Sequence, residues 1–247
     1  MSKHKIELIV GFHAVESALN NDPANILELW IEVNRHDKRI TQVMEAIKRL
    51  GISVEYVKRK DLEKRCNSSK TQGIAARYRS PAAQTEKSLD ELLDKDNLFL
   101  LILDGIQDPH NLGACMRTAD AAGVDAIIAP KDRACGLTPV VRKVASGAAE
   151  SMPFIQVTNL ARTLKQLKDA GVWLVGTAGE AETDVYDADL KGKLGLIMGA
   201  EEKGMRRLTR ENCDQLIKLP MQGQVESLNV SVATGICLFE AVRQRRS

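Results

Sequence analysis

Apolar positions in this chain fall into two textures. From residue 98 onward, short apolar runs at 98–103, 124–129, 154–157, 172–176, 194–198 and 216–219 alternate with longer segments. Those segments have helical period and start near Asn111, Thr138, Asn159, Met205 and Asn229. Strands buried on both faces read as continuous apolar runs, and repeated strand-then-helix spacing predicts one parallel sheet covered on both sides. The last segment, Val230 to Val242, is apolar nearly all the way round. Such a helix has to be covered on most sides, by its own domain or by a second subunit.

Residues 1–78 read differently, as a small α/β module. A helix begins near Gly11, a strand follows at 27–33, and a helix spans 37–50 with Asp37 as N-cap and Gly51 as stop. A strand at 53–57, a short helix from Asp61 and a strand at 73–78 complete the module. The polar, acidic stretch that begins Ser80-Pro81 is expected to be a linker over residues 79–97, carrying a short helix at 89–93. The third part is then a domain over residues 98–247.

Composition narrows the chemistry. The 247 residues are 44% hydrophobic, enough for one large domain or two ordinary ones. Aromatics at 4% argue against single-stranded RNA gripped on a row of stacked rings. The five cysteines are odd in number and include no CxxC pair, which fits reduced, mostly core residues of a cytoplasmic protein. The four histidines form no HExxH or HxxxH pair, so no metal is expected, and His13 near a helix start reads as structural. The run at 98–103 is too short to cross a bilayer, and the N-terminus lacks a signal-peptide core. The net charge of +2 is uneven. Residues 1–80 hold fifteen Lys and Arg against ten Asp and Glu, which is where a polyanion would first be held.

No strand here is followed by GxGxxG, and the GxxxxG at Gly199–Gly204 continues as Met205-Arg206, so neither a dinucleotide cradle nor a phosphate loop is indicated. Glycine-containing strand ends recur nonetheless, as GTAGEA from 176, MGAEEKGM from 198 and LPMQGQ from 219. Such loops can offer backbone N–H and C=O groups to an adenine edge, with Leu219, Met221 and Leu228 as apolar walls. Ordinary turn chemistry would explain the glycines taken singly. Asn111 reads as a helix N-cap and Arg117 as a solvent-facing helical residue, while Ser227 and Asn229 could both cap the last helix.

Three motifs change that balance. LDGIQDPHNLGACMRTADAAGVDAII, MGAEEKGM and LPMQGQVESLNVSVATGICLFEAVR occur in this order. Together they resemble the SpoU/TrmH family of RNA ribose 2′-O-methyltransferases, and the resemblance covers the whole chain. It implies a SPOUT-type C-terminal domain with a deep trefoil knot, which periodicity cannot reveal. It also implies an N-terminal substrate-binding domain similar to some small ribosomal proteins. The implied cofactor is S-adenosylmethionine, placed among Thr177, Gly199, Leu219, Met221 and Leu228. The implied catalytic and RNA-handling set is Asn111, Arg117, Glu201, Ser227 and Asn229. A guanidinium is effectively always protonated, so Arg117 suits a phosphate clamp better than a general base, although some family schemes give it the base role. Glu201 could orient Arg117 or take the proton itself. The expected activity is methyl transfer to a guanosine of 23S ribosomal RNA, free or in a ribosome precursor, by a homodimer. A transfer RNA ribose methyltransferase and a non-catalytic RNA-binding protein are the alternatives.

Overall fold

The computed structural model describes residues 5–35, 38–80, 87–201 and 203–246. Asp37, expected as an N-cap, and residues 81–86 of the expected linker lie outside them. In chain order the first elements are β1 (Lys5–Val10), α1 (Phe12–Asn21), β2 (Ile26–Glu32), α2 (Lys38–Leu50), β3 (Val54–Val57), α3 (Arg59–Cys66) and β4 (Ile74–Ser80). There follow α4 (Lys87–Leu93), β5 (Phe99–Asp104), α5 (Pro109–Ala121), β6 (Ala126–Pro130), α6 (Pro139–Ala145), α7 (Ala148–Ser151) and β7 (Phe154–Val157). The last are α8 (Leu160–Asp169), β8 (Trp173–Thr177), β9 (Thr183–Asp184), β10 (Leu194–Gly199), α9 (Arg207–Glu211), β11 (Gln215–Lys218) and α10 (Val230–Arg245). The packing groups residues 1–82 with 137–151 in one compact unit, and 83–136 with 152–247 in another.

The first unit holds a four-stranded sheet in the order β1-β4-β2-β3, with only β2 and β3 parallel. Strand β1 is absent from the sequence expectation. Its six residues, KIELIV, are broken by a charge, and its partner β4 lies some seventy residues away, so no local pattern announces it. One sheet face buries Ile9, Leu29, Ile31 and Tyr78 against Phe12, Val15, Val43 and Ile47. The other packs Trp30, Val57 and Ala75 on Leu62 of α3. Gly11, at φ 93°, makes the turn from β1 into α1, and a Cβ there would come within 2.8 Å of Gln72 Oε1. That oxygen accepts the Phe12 N–H at 3.1 Å.

Residues 137–151 lie between β6 and β7 in sequence but pack with the first unit, α6 on β1 and α7 on α1. Their anchor is Arg142. Its Nε donates to Glu7 Oε2 at 2.7 Å and its Nη1 to Glu150 Oε1 at 3.0 Å, and all three side chains are at most 5% exposed. Breaking a buried ion group leaves uncompensated charge and costs about 3–5 kcal/mol. Chemical denaturation of Arg142→Met is therefore expected to show a loss of that size. Glu150→Gln should cost far less, because Glu150 Oε2 is buried without a partner and burial pushes its carboxyl above the usual range. A raised carboxyl binds its proton more readily in the folded state, so its contribution is lost as pH rises through the folded value. Glu150→Gln should remove that part of the pH dependence.

The second unit is a seven-stranded, all-parallel sheet in the order β7-β6-β5-β10-β8-β11-β9. Strands β5 and β6 are buried throughout, as the continuous apolar runs require. β7 lies where the sequence places it, and the other expected strands agree within about two residues. The two-residue β9 is too short to carry a periodic signal. Strand β10 inserts between β5 and β8. The chain leaves β5 toward β6 on one side and leaves β10 toward β11 on the other, so the loops after these strands diverge. In an open parallel sheet that divergence makes a crevice at the carboxyl ends of the strands. No helix among the described residues is long and apolar enough to cross a membrane.

Candidate active site

Two cavities open at those strand ends. The first is lined by Thr177, Ala178 and Gly179 after β8, Met198 to Glu201 and Gly204 after β10, and Ile217 to Leu219 with Met221 after β11. Glu226 to Leu228, Val230 and Ala233 close it. All five positions that the resemblance assigns to a cofactor, Thr177, Gly199, Leu219, Met221 and Leu228, line this one cavity. The second is lined by Gly105 to Asp108 after β5 and by Ala200, Glu201 and Lys203. Ala200 and Glu201 thus border both.

The loop between the cavities is held from within and from below. Ala200 and Gly204 exchange backbone hydrogen bonds at 3.1 and 2.8 Å. Asp104, fully buried at the end of β5, accepts the Arg206 N–H at 2.7 Å, and Arg206 Nε lies 3.4 Å from its other oxygen. Sequence reasoning missed Asp104, although an acid ending an otherwise apolar run (LFLLILD) was a readable signal. The closeness is extreme at Gly199, where a Cβ would lie 2.3 Å from the Gly204 carbonyl carbon and the Met205 nitrogen.

Glu201 is the centre of a polar triad. Its Oε1 accepts from Asn111 Nδ2 and, at 3.2 Å, from Asn229 Nδ2, which also donates to Asn111 Oδ1 at 3.0 Å. Asn111 is not the N-cap of α5. Asp108 is, accepting the His110 N–H at 2.9 Å, and this leaves the buried Asn111 amide for the triad. Asn229 does cap α10, accepting from the Ser231 N–H at 2.9 Å and its hydroxyl at 2.6 Å, so one side chain serves both the helix and the site. Ser227 lines the first cavity and is exposed.

Arg117 stands apart from the triad. It is exposed on α5, and its side chain has no hydrogen bond or ion pair to any described residue. Two thiols in the α5–α10 packing are inert: burial pushes Cys115 up to about 11 and Cys237 up to about 12, so both stay protonated. Helix α10 buries Val230, Thr234, Cys237, Leu238 and Ala241, but Val232 and Phe239 are half exposed. With Gly235, Ile236 and Val242 they form an apolar stripe at helical spacing that this chain does not fully cover.

The donor set fits S-adenosylmethionine. Leu219, Met221, Leu228 and Val230 would supply apolar walls for an adenine, the strand-end loops backbone polar groups, and Glu201 and Glu226, against the single Lys218 among the described lining residues, a net negative lining for a cationic ligand.

A parallel α/β domain with this pocket and this triad is the catalytic half of an RNA methylase, and the chain belongs to the SpoU rRNA Methylase family, which it matches over residues 98–239. Residues 8–84 match the family of RNA 2′-O ribose methyltransferase substrate-binding domains. Among individual proteins, it is 58% identical over 244 residues to the 23S rRNA (guanosine-2′-O-)-methyltransferase RlmB of Shewanella oneidensis, covering 98% of this chain and 99% of that protein. An RNA 2′-O ribose methyltransferase of known crystal structure aligns over 99% of this chain and 90% of its own, with a TM-score of 0.83 and 29% identity. The AdoMet-bound rRNA methyltransferase of Sinorhizobium meliloti aligns over 96% and 87%, with a TM-score of 0.80 and 26% identity.

Proposed function

We propose that this chain transfers a methyl group from S-adenosylmethionine to the ribose 2′-hydroxyl of a guanosine in 23S ribosomal RNA, working as a homodimer. The observation that carries this reading is the position of Ala200 and Glu201 between two cavities. A methyl donor on one side and a ribose on the other would face each other across them, in the in-line arrangement that displacement at carbon needs.

When bound, the cofactor supplies a methyl group already activated on a sulfonium. The remaining work falls to this chain's side chains. Glu201, held by the amides of Asn111 and Asn229, would take the proton of the 2′-hydroxyl as the methyl carbon passes from sulfur to that oxygen and the sulfur leaves as the neutral thioether. Asn229 and Ser227 position the ribose. Arg117, contributed by the second copy, clamps the neighbouring phosphate. The uncovered stripe on α10 supports the dimer, since half-exposed Val232 and Phe239 on an otherwise buried helix suit a two-fold contact. The proposed division along the sequence is an RNA-binding part in residues 1–78, a linker at 79–97 and a knotted methyltransferase part in 98–247, although residues 79–80 complete β4, α4 packs in the second unit and residues 137–151 pack with the first.

Incubation with methyl-labelled cofactor and separate pools of 23S and transfer RNA tests the reading. Label is expected in 2′-O-methylguanosine of the 23S pool alone. Label confined to transfer RNA would favour the related transfer RNA reaction, and binding without label would leave an RNA-binding protein.

A further inference from the structure

The strand register of the first unit gathers four chain segments at one end of its sheet. Val10 lies opposite Ala75, Ile31 opposite Ile74 and Glu32 opposite Val57. The loops after β1, β2 and β3 and the loop before β4 therefore converge. Arg35, Lys38 and Arg39 follow β2, Lys58, Arg59 and Lys60 follow β3, and Lys70 precedes β4. All but the half-buried Arg35 are exposed.

Positive charge predominates among the described residues of this end. The Arg35 and Arg39 guanidinium groups lie 4.9 and 5.4 Å from the centre of the Phe12 ring. Arg35 also donates to the Gln72 carbonyl, and Arg39 Nη2 sits 3.1 Å from His13 Nε2. The N-terminus of α1, whose first N–H is taken by Gln72 Oε1, adds its partial positive charge to the same end. The described carboxylates there are Glu32, Asp61 and Glu63, and Glu63 accepts from Arg59 Nε at 3.0 Å. Arg77 and Arg65, by contrast, face the open sheet surface around Trp30. They are neutralised by Glu28 and, at 2.6 Å, by Glu55. A polyanion gains little on that surface.

We propose that the loop end of this sheet, and not its open face, is where the N-terminal unit holds RNA, through phosphates and without reading bases. This rests on the RNA methyl-transfer reading above. Neutralising n phosphates gives a binding constant that falls with salt in proportion to n, by roughly 0.7–0.9 per contact on a double logarithmic scale.

The test uses the full-length chain carrying Lys58→Ala, Arg59→Ala and Lys60→Ala together, because these side chains are exposed and outside the core. Binding to a 23S transcript should lose about two from its salt slope, and affinity near 0.1 M salt should fall roughly tenfold to a hundredfold. KM for RNA should rise while kcat and S-adenosylmethionine affinity hold. The control is Lys48→Ala with Arg49→Ala, at the far end of α2, where the slope should not change. A triple variant with the parent slope, or a control that loses as much, overturns the surface and leaves the reaction intact. If the parent transfers no methyl to 23S RNA but the triple variant still loses affinity and slope, the assigned reaction falls and the surface stands.

Discussion

Arg117→Ala is expected to lose turnover by a hundredfold or more while keeping most affinity for RNA, the signature of a contact that is tightest in the transition state. Arg117 lies six positions after Asn111 on α5, which sets the two side chains about 120° apart around the axis. Asn111 is buried against Glu201 and Asn229, so Arg117 projects from another side of the helix. A second copy docked on the α10 stripe can bring its own Arg117 to this triad. Mixed dimers of Arg117→Ala with Asn229→Ala subunits should then carry one site with both residues intact and regain about half the parent rate per dimer. Inactive mixed dimers would sink the assignment across the interface.

Gly199→Ala should reduce S-adenosylmethionine affinity by at least about a hundredfold, or about 2.8 kcal/mol. The cause is backbone and not a flexible side chain: the new Cβ would need the space of Gly204 and Met205. The 200–206 loop would have to lift away, straining the Ala200–Gly204 bonds and the grip of Asp104 on Arg206. Gly223→Ala is the control, since a Cβ there meets nothing within 4 Å. Calorimetry without RNA reads both variants, and parent-like binding by Gly199→Ala would move the cofactor elsewhere.

The parallel sheet was legible because strands such as β5 and β6 are buried on every residue, which makes short, wholly apolar runs, and because those runs alternate with segments of helical period. The helix starts were legible where Asn or Thr side chains cap them, as at Thr138, Asn159 and Asn229. Strand order was not. That β10 lies between β5 and β8 follows from contacts about a hundred residues apart, which no periodicity encodes. The site was readable as residue types through the motifs, but its connectivity was not. The Asp108-Pro109 pair was a readable sign that Asp108 caps α5, but nothing in the sequence says that the Asn111 amide thus freed meets Glu201, or that Asp104 holds the loop separating the two cavities.

The placement of residues 137–151 in the first unit also sets an order of events during synthesis. When residue 80 has been made, the four-stranded sheet has all its strands, but Glu7 has no Arg142 and the outer side of β1 has no α6. Roughly seventy more residues must be added first, a delay of about 4–14 s at ordinary elongation rates. Throughout that interval the nascent sheet carries a carboxylate destined for burial and an uncovered strand. The N-terminal unit is thus not finished when its own sheet is, and its last piece arrives from inside the sequence of the methylase half.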